Sequence, residues 1–141
     1  MHDYSAALQS HQRALEIRLK LFGEDHESTA DSCRQLGVTQ YYMHEYSAAL
    51  QSHQRALTIC LKLFGEDHES TADSYRQLGL TQYNTHDYSA ALQSHLRALT
   101  IRLKLFGEEH AKTADSYRQV KITQDALREK GEKNKEKSTE T

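Results

Sequence analysis

Apolar residues fall at intervals of three and four along most of this chain, the spacing that puts them on one side of an α-helix. From Tyr4 to Phe22 they are Tyr4, Ala7, Leu8, Leu15, Leu19 and Phe22, with His11 standing in the gap. Ala14, Ile17 and Leu21 widen the stripe toward a second side, as expected of a helix held between two neighbours. Gly23 follows the last apolar residue, and a glycine there can end a helix in the left-handed conformation. After a polar loop, Ser28-Thr29-Ala30-Asp31 reads as an N-cap with an acid in the first turn. The helix it opens runs to about Met43. A very short connection, Met43-His44-Glu45, then forces the next helix to run antiparallel.

The same pattern returns with a period of 42 residues. His2–Met43 recurs as His44–Thr85 with seven differences, and a third copy fills His86–Leu127. In the third copy Lys112 replaces Ser28, which leaves Thr113 as its cap. Its ending also departs, because Val120-Lys121 stands where the first two copies carry Leu36-Gly37 and Leu78-Gly79. A fixed period of this size means stacked helical hairpins, each touching only its neighbours. The fold class is therefore all-α, an α-solenoid of antiparallel helix pairs. We expect one repeat domain over residues 1–130, made of repeats 2–43, 44–85 and 86–127. Its last helix, Thr113 to about Lys130, serves as a cap. Residues 131–141 contain no apolar side chain and are expected to be a disordered, charged tail. The chain opens in mid-repeat, as a piece of a longer array would.

Counted from Ala72, residues Tyr75, Leu78, Gly79, Tyr88, Ala91 and Ala98 fall where tetratricopeptide repeats carry their signature residues. Counted from Ala30, the first copy offers Cys33, Leu36, Gly37, Tyr46, Ala49 and Ala56. From Tyr4 to about Val120 the chain resembles this family, and in repeat length its kinesin-light-chain and nephrocystin-like class. It departs at Gln82, where a Tyr is usual, and at His95, where a Phe is usual. Arg76-Gln77 stands where the kinesin type has Asn-Asn, and the terminal proline is missing. The resemblance implies a right-handed superhelix whose first-type helices line a concave groove for extended or helical peptides.

Composition removes several alternatives. A net charge of −2 and a pI near 6.5 supply no basic stripe for nucleic acid. No apolar run approaches the roughly 20 residues of a membrane span. Cys33 and Cys60 occupy positions held by Tyr and Arg in sister repeats, and unpaired cysteines fit a reducing, cytoplasmic location. The nine histidines sit at three repeat positions: His2/His44/His86, His11/His53/His95 and His26/His68/His110. Zinc needs ligands converging at about 2–2.3 Å, whereas equivalent residues of stacked repeats lie roughly 10 Å apart. We therefore read the histidines as structural and expect neither metal nor cofactor. Asp25, His26 and Ser28 are neighbours in one exposed loop and make no catalytic triad, so we expect no enzyme.

The candidate binding surface is the side of the first-type helices not used for packing. It presents Asp31, Arg34, Val38, Tyr41 and Tyr42, then Asp73, Arg76, Leu80, Tyr83 and Asn84, then Asp115, Arg118, Ile122 and Asp125. A ladder of Arg beside apolar and Tyr positions suits a protein or peptide partner, because these types are enriched in binding hot spots. Asp and Arg three apart also pair on a solvated helix. The alternative role is an array segment that stacks head to tail, the Tyr4/Ala7/Ala14 side of one chain meeting the Thr113/Lys121 side of the next.

Overall fold

In the computed structural model, residues 3–139 are described, so His2 and the last two residues of the expected tail lie outside it. Six helices follow one another: α1 (Tyr4–Phe22), α2 (Glu27–Tyr42), α3 (Tyr46–Phe64), α4 (Glu69–Asn84), α5 (Tyr88–Phe106) and α6 (Ala111–Thr139). Each packs against its neighbours in sequence, and α2 also touches α4. Among the described residues there is no strand. The chain is an all-α solenoid, with α2, α4 and α6 as first-type and α1, α3 and α5 as second-type helices.

Small residues set how closely the helices approach. Ala49, Ala56, Ala72, Ala91 and Ala98 are all between 0% and 1% exposed. A Cβ built on Gly37 would lie 2.6 Å from the His53 ring, and one on Gly79 2.7 Å from the His95 ring. Each glycine is thus the floor on which an imidazole lies flat. His53 and His95 are 1% exposed, and no ring nitrogen of either finds a hydrogen-bond partner. An isolated buried polar group is costly, so these rings act as packing volume at the position where the resembling family places Phe.

The helix ends differ from the sequence reading in three ways. Ser28 and Thr113 are not the caps. His26 caps α2 instead, its Nδ1 accepting the Ser28 N–H at 3.0 Å, and His68 does the same for Ser70. His110 accepts from the Lys112 N–H at 3.1 Å. Each capping ring stacks on the phenylalanine that ends the previous helix, with centroids 4.1–4.3 Å apart. An imidazole serves because its lone pair replaces the usual hydroxyl while its face covers Phe22, Phe64 or Phe106. The threonine is freed to bond the preceding helix end. Thr29 and Thr71 donate to the carbonyls of Gly23 and Gly65 at 2.7 and 2.8 Å, and Thr113 to that of Arg102 at 3.3 Å.

The glycines that end α1, α3 and α5 have φ of 74–82° but ψ within about 11° of extended. That conformation is essentially open to glycine alone, and it is not the left-handed helical one expected. The left-handed residues are His44 and His86, with φ of 62° and 65°. Each ring hydrogen-bonds at 2.8 Å to the hydroxyl of Tyr46 or Tyr88 two residues on.

The expected disordered tail is also corrected, because α6 continues through Gly131 to Thr139. Its docked part reaches Lys130, whose Nζ lies 5.7 Å from the Tyr88 ring centroid and 3.4 Å from the His86 carbonyl. Beyond that point the helix is exposed. Extending an existing helix needs no new nucleus, Lys and Glu are good helix formers, and Glu129 precedes Lys133 by four residues.

Candidate partner-binding groove

The candidate face of α2, α4 and α6 is held together from within. Arg34 pairs with Asp31 on its own helix and reaches Asp73 of α4 at 3.2 Å. Arg76 reaches Asp115 of α6 through Nε at 2.5 Å, and Arg118 lies 3.5 Å from the same carboxylate. The Asp–Arg spacing therefore builds rungs between repeats as well as pairs within a helix. Burial works against the charge on Arg34, but Asp31 and Asp73 outweigh it and raise its pKa. The hydrogen bond that Arg76 donates to Asp115 likewise raises the pKa of Arg76. Burial opposes ionisation of Asp115 too, and the Arg76 bond outweighs it and lowers its pKa. These side chains remain 22–40% exposed, so each rung contributes only a fraction of a kcal/mol.

The tyrosines divide in the same way. Tyr41 accepts a hydrogen bond from Asn84 of the next repeat at 2.7 Å and meets Tyr42 and Tyr46 edge-on. Tyr83 packs edge-on against Tyr88 at 5.1 Å. Tyr42 stacks on Tyr4 yet stays 54% exposed. Val38 and Leu80 are half-buried, and Ile122 is 41% exposed. Val38 lines a cleft of about 400 Å³ between α2 and α4, together with Arg34, Asp73, Gln77 and His11. The Arg118 side chain is 65% exposed. Asp125 pairs with Arg128 of its own helix at 3.2 Å.

Sequence reasoning misses the guanidinium groups beneath this face. Arg102 of α5 is 3% exposed and donates to the Lys112 carbonyl, Ser116 Oγ and Glu69 at 3.0–3.3 Å. Arg18 of α1 donates to the Ser28 carbonyl and Ser32 Oγ at 3.0 and 2.9 Å. The available signal is the recurrence of Arg at that repeat position, to which Cys60 is the exception. It misses Gln40 and Gln82 as well; they accept from Ser52 and Ser94 at 2.6 and 2.7 Å and tie the two helices of each hairpin. On the opposite side Arg55–Glu24 (2.6 Å) and Lys104–Asp67 (2.5 Å) fasten the loops to the following repeat.

Among the described residues no cluster of three or more His, Cys, Asp or Glu could hold a metal ion. None of the described helices is long and apolar enough to cross a membrane.

No curated protein matches the chain. Among solved structures it is similar to BtubC (BKLC) from P. vanneervenii, with a TM-score of 0.82 at 23% identity. The match covers 88% of this chain and 50% of that one, so this chain spans about half the length of that neighbour. The tetratricopeptide repeat model matches residues 1–62 and again 43–104. The signature residues, the antiparallel hairpins and this match agree, and the chain belongs to the tetratricopeptide repeat family.

Proposed function

We propose that this protein is a non-enzymatic scaffold holding a protein or peptide partner on the concave face of α2, α4 and α6. The observation that carries the reading is the row Val38, Leu80 and Ile122, one apolar side chain per first-type helix, half-buried at Val38 and Leu80 and exposed at Ile122, beside a ladder of ion pairs. A preformed surface of this kind loses little entropy on binding. The exposed Arg118 and Tyr42 sit on the same face and supply hot-spot chemistry.

The test is a peptide-library selection followed by affinity measurements on variants. Arg34 and Arg76 are poor choices, since each also bridges two repeats. Arg118→Ala and Ile122→Ala should each weaken binding about tenfold while leaving the melting temperature within about 2 °C. A selected peptide indifferent to both changes would place its site elsewhere.

A second reading, head-to-tail stacking, is favoured by one comparison. Ile17 is 49% exposed, whereas its counterparts Ile59 and Ile101 are 1% and 5% exposed. Ala7 and Ala14 are also only half-buried. Lys121 opposes stacking, because it stands where Gly79 cannot take even a methyl group without striking an imidazole. In a stack it would press on His11 of the next copy. We expect a monomer at micromolar concentration, and Lys121→Gly should increase association. Sedimentation giving a closed dimer insensitive to Lys121 and Ala7 would exclude this arrangement.

A further inference from the structure

Three sister positions on the second-type helices carry Arg18, Cys60 and Arg102. The two arginines extend to the next first-type helix and end on the same groups there: a carbonyl, a serine hydroxyl and an aspartate. For Arg102 these are Lys112 O (3.3 Å), Ser116 Oγ (3.0 Å) and Asp115 (3.6 Å), joined by Glu69 at 3.0 Å. For Arg18 they are Ser28 O (3.0 Å), Ser32 Oγ (2.9 Å) and Asp31 (3.5 Å). The middle repeat keeps the equivalent groups, Ser70 O, Ser74 Oγ, Asp73 and Glu27, but has Cys60 at their centre.

The shorter side chain leaves a space. A cavity of about 250 Å³ lies there, lined by Cys60, Ser70, Ser74, Glu27 and Phe64, among others. Ser74 is 2% exposed, and its hydroxyl has only the weak acceptor Cys60 Sγ at 3.7 Å. Glu27, whose counterpart Glu69 binds Arg102, makes no hydrogen bond or ion pair among the described residues. Cationic neighbours do not forbid a guanidinium here. Arg34 is already neutralised by Asp31 and Asp73, just as Arg76 is by Asp115 beside Arg102. Arg18 lines the cavity, and the Arg102 site has a further cation of its own in Lys112, which pairs with Glu69 at 3.3 Å; with a guanidinium bound, each site holds three positive groups.

We propose that this cavity is a receptor for a guanidinium group, which would take the place that Arg18 and Arg102 fill in the other repeats. The ligand donates in plane to Ser70 O and Ser74 Oγ and pairs with Glu27, a geometry the rigid fork of a guanidinium satisfies and an ammonium does not. It is either the side chain of an arginine on another protein or a small free guanidino compound. The site does not depend on the groove's taking a peptide, because the bare cation tests it without any partner.

Thermal unfolding of the full chain in low-millimolar guanidinium chloride, against equal sodium chloride, provides the test. At these concentrations the denaturing action is negligible. We expect a saturable rise in melting temperature of about 4 °C at ten times the dissociation constant. Cys60→Arg, which supplies the group covalently, should melt higher than the parent and show no further rise. Glu27→Gln, on an exposed position, should fold normally and need about tenfold more cation. Methylguanidinium and N-acetylarginine amide separate the sources: equal effects assign the site to protein arginines, an effect of the smaller cation alone to a free compound. The proposal is overturned if the parent shows no saturable rise, or if the rise persists undiminished in both variants.

Discussion

Lowering the pH from 7 to 4.5 should remove about 5 kcal/mol of stability, and His53 and His95 should account for most of it. Burial pushes the pKa of each imidazole down to about 4 from an ordinary 6.5. Around His53 the facing charges are Asp73, which opposes the shift, and Arg34, which adds to it. Around His95 they are Arg76 and Arg102, which add, and Asp115, which opposes. The folded state therefore holds both rings neutral, while the unfolded chain takes up a proton on each below pH 6.5. This contribution is complete above 6.5 and is lost as the pH falls toward 4. A tenfold difference in proton affinity between the two states corresponds to about 1.4 kcal/mol. The sum is comparable with the ~5–15 kcal/mol that holds a typical domain together. Carboxylates confuse the window little. Glu24, lowered chiefly by its bond to Arg55, and Asp115 lose their contributions only at lower pH. Denaturant melts at several pH values check the expectation, with the His53→Phe/His95→Phe double variant as reference. A parent profile as flat as that of the double variant between pH 6.5 and 4.5 would refute it.

Gly79→Ala should destabilise the protein by about 2 kcal/mol, although alanine is the better helix former by up to ~1 kcal/mol. The reason is the 2.7 Å approach of the new methyl to Cε1 and Nε2 of His95, a ring that is itself fully buried and has nowhere to retreat. Gly79→Leu should cost more. The contrast is Gly131→Ala in the exposed part of α6, where nothing lies within 4 Å of a new Cβ; there the same change should stabilise. A double-mutant cycle isolates the cause. His95→Ala should cost distinctly less in the Gly79→Ala background than in the parent, because the smaller side chain makes room. Equal costs in both backgrounds would mean that the two positions do not meet as described.

The period and the hairpin topology are legible in the sequence, because they rest on backbone periodicity alone. Apolar spacing fixes which side of each helix is buried, and repetition fixes how the hairpins stack. The identity of partners across the stack is not legible. Asp31 and Arg34 read as a local pair, whereas Arg34 and Arg76 each reach the next repeat. That reach depends on how consecutive hairpins stack, whereas Gly37 and Gly79 set the approach of the two helices within each hairpin. The histidines carry the same lesson: as loop and helix residues they look interchangeable. Packing assigns His26 to a helix cap, His44 to a left-handed turn and His53 to the core. The cavity beside Cys60 lies furthest from sequence reasoning. One substitution in a copied position looks like drift until the sister arginines are seen to converge on carbonyl, hydroxyl and carboxylate groups that the middle repeat retains. The sequence by itself determined which helices form and in what order they stack. Only the tertiary structure decided which polar groups meet between helices, because those meetings join residues 10–44 positions apart across distances that close packing sets.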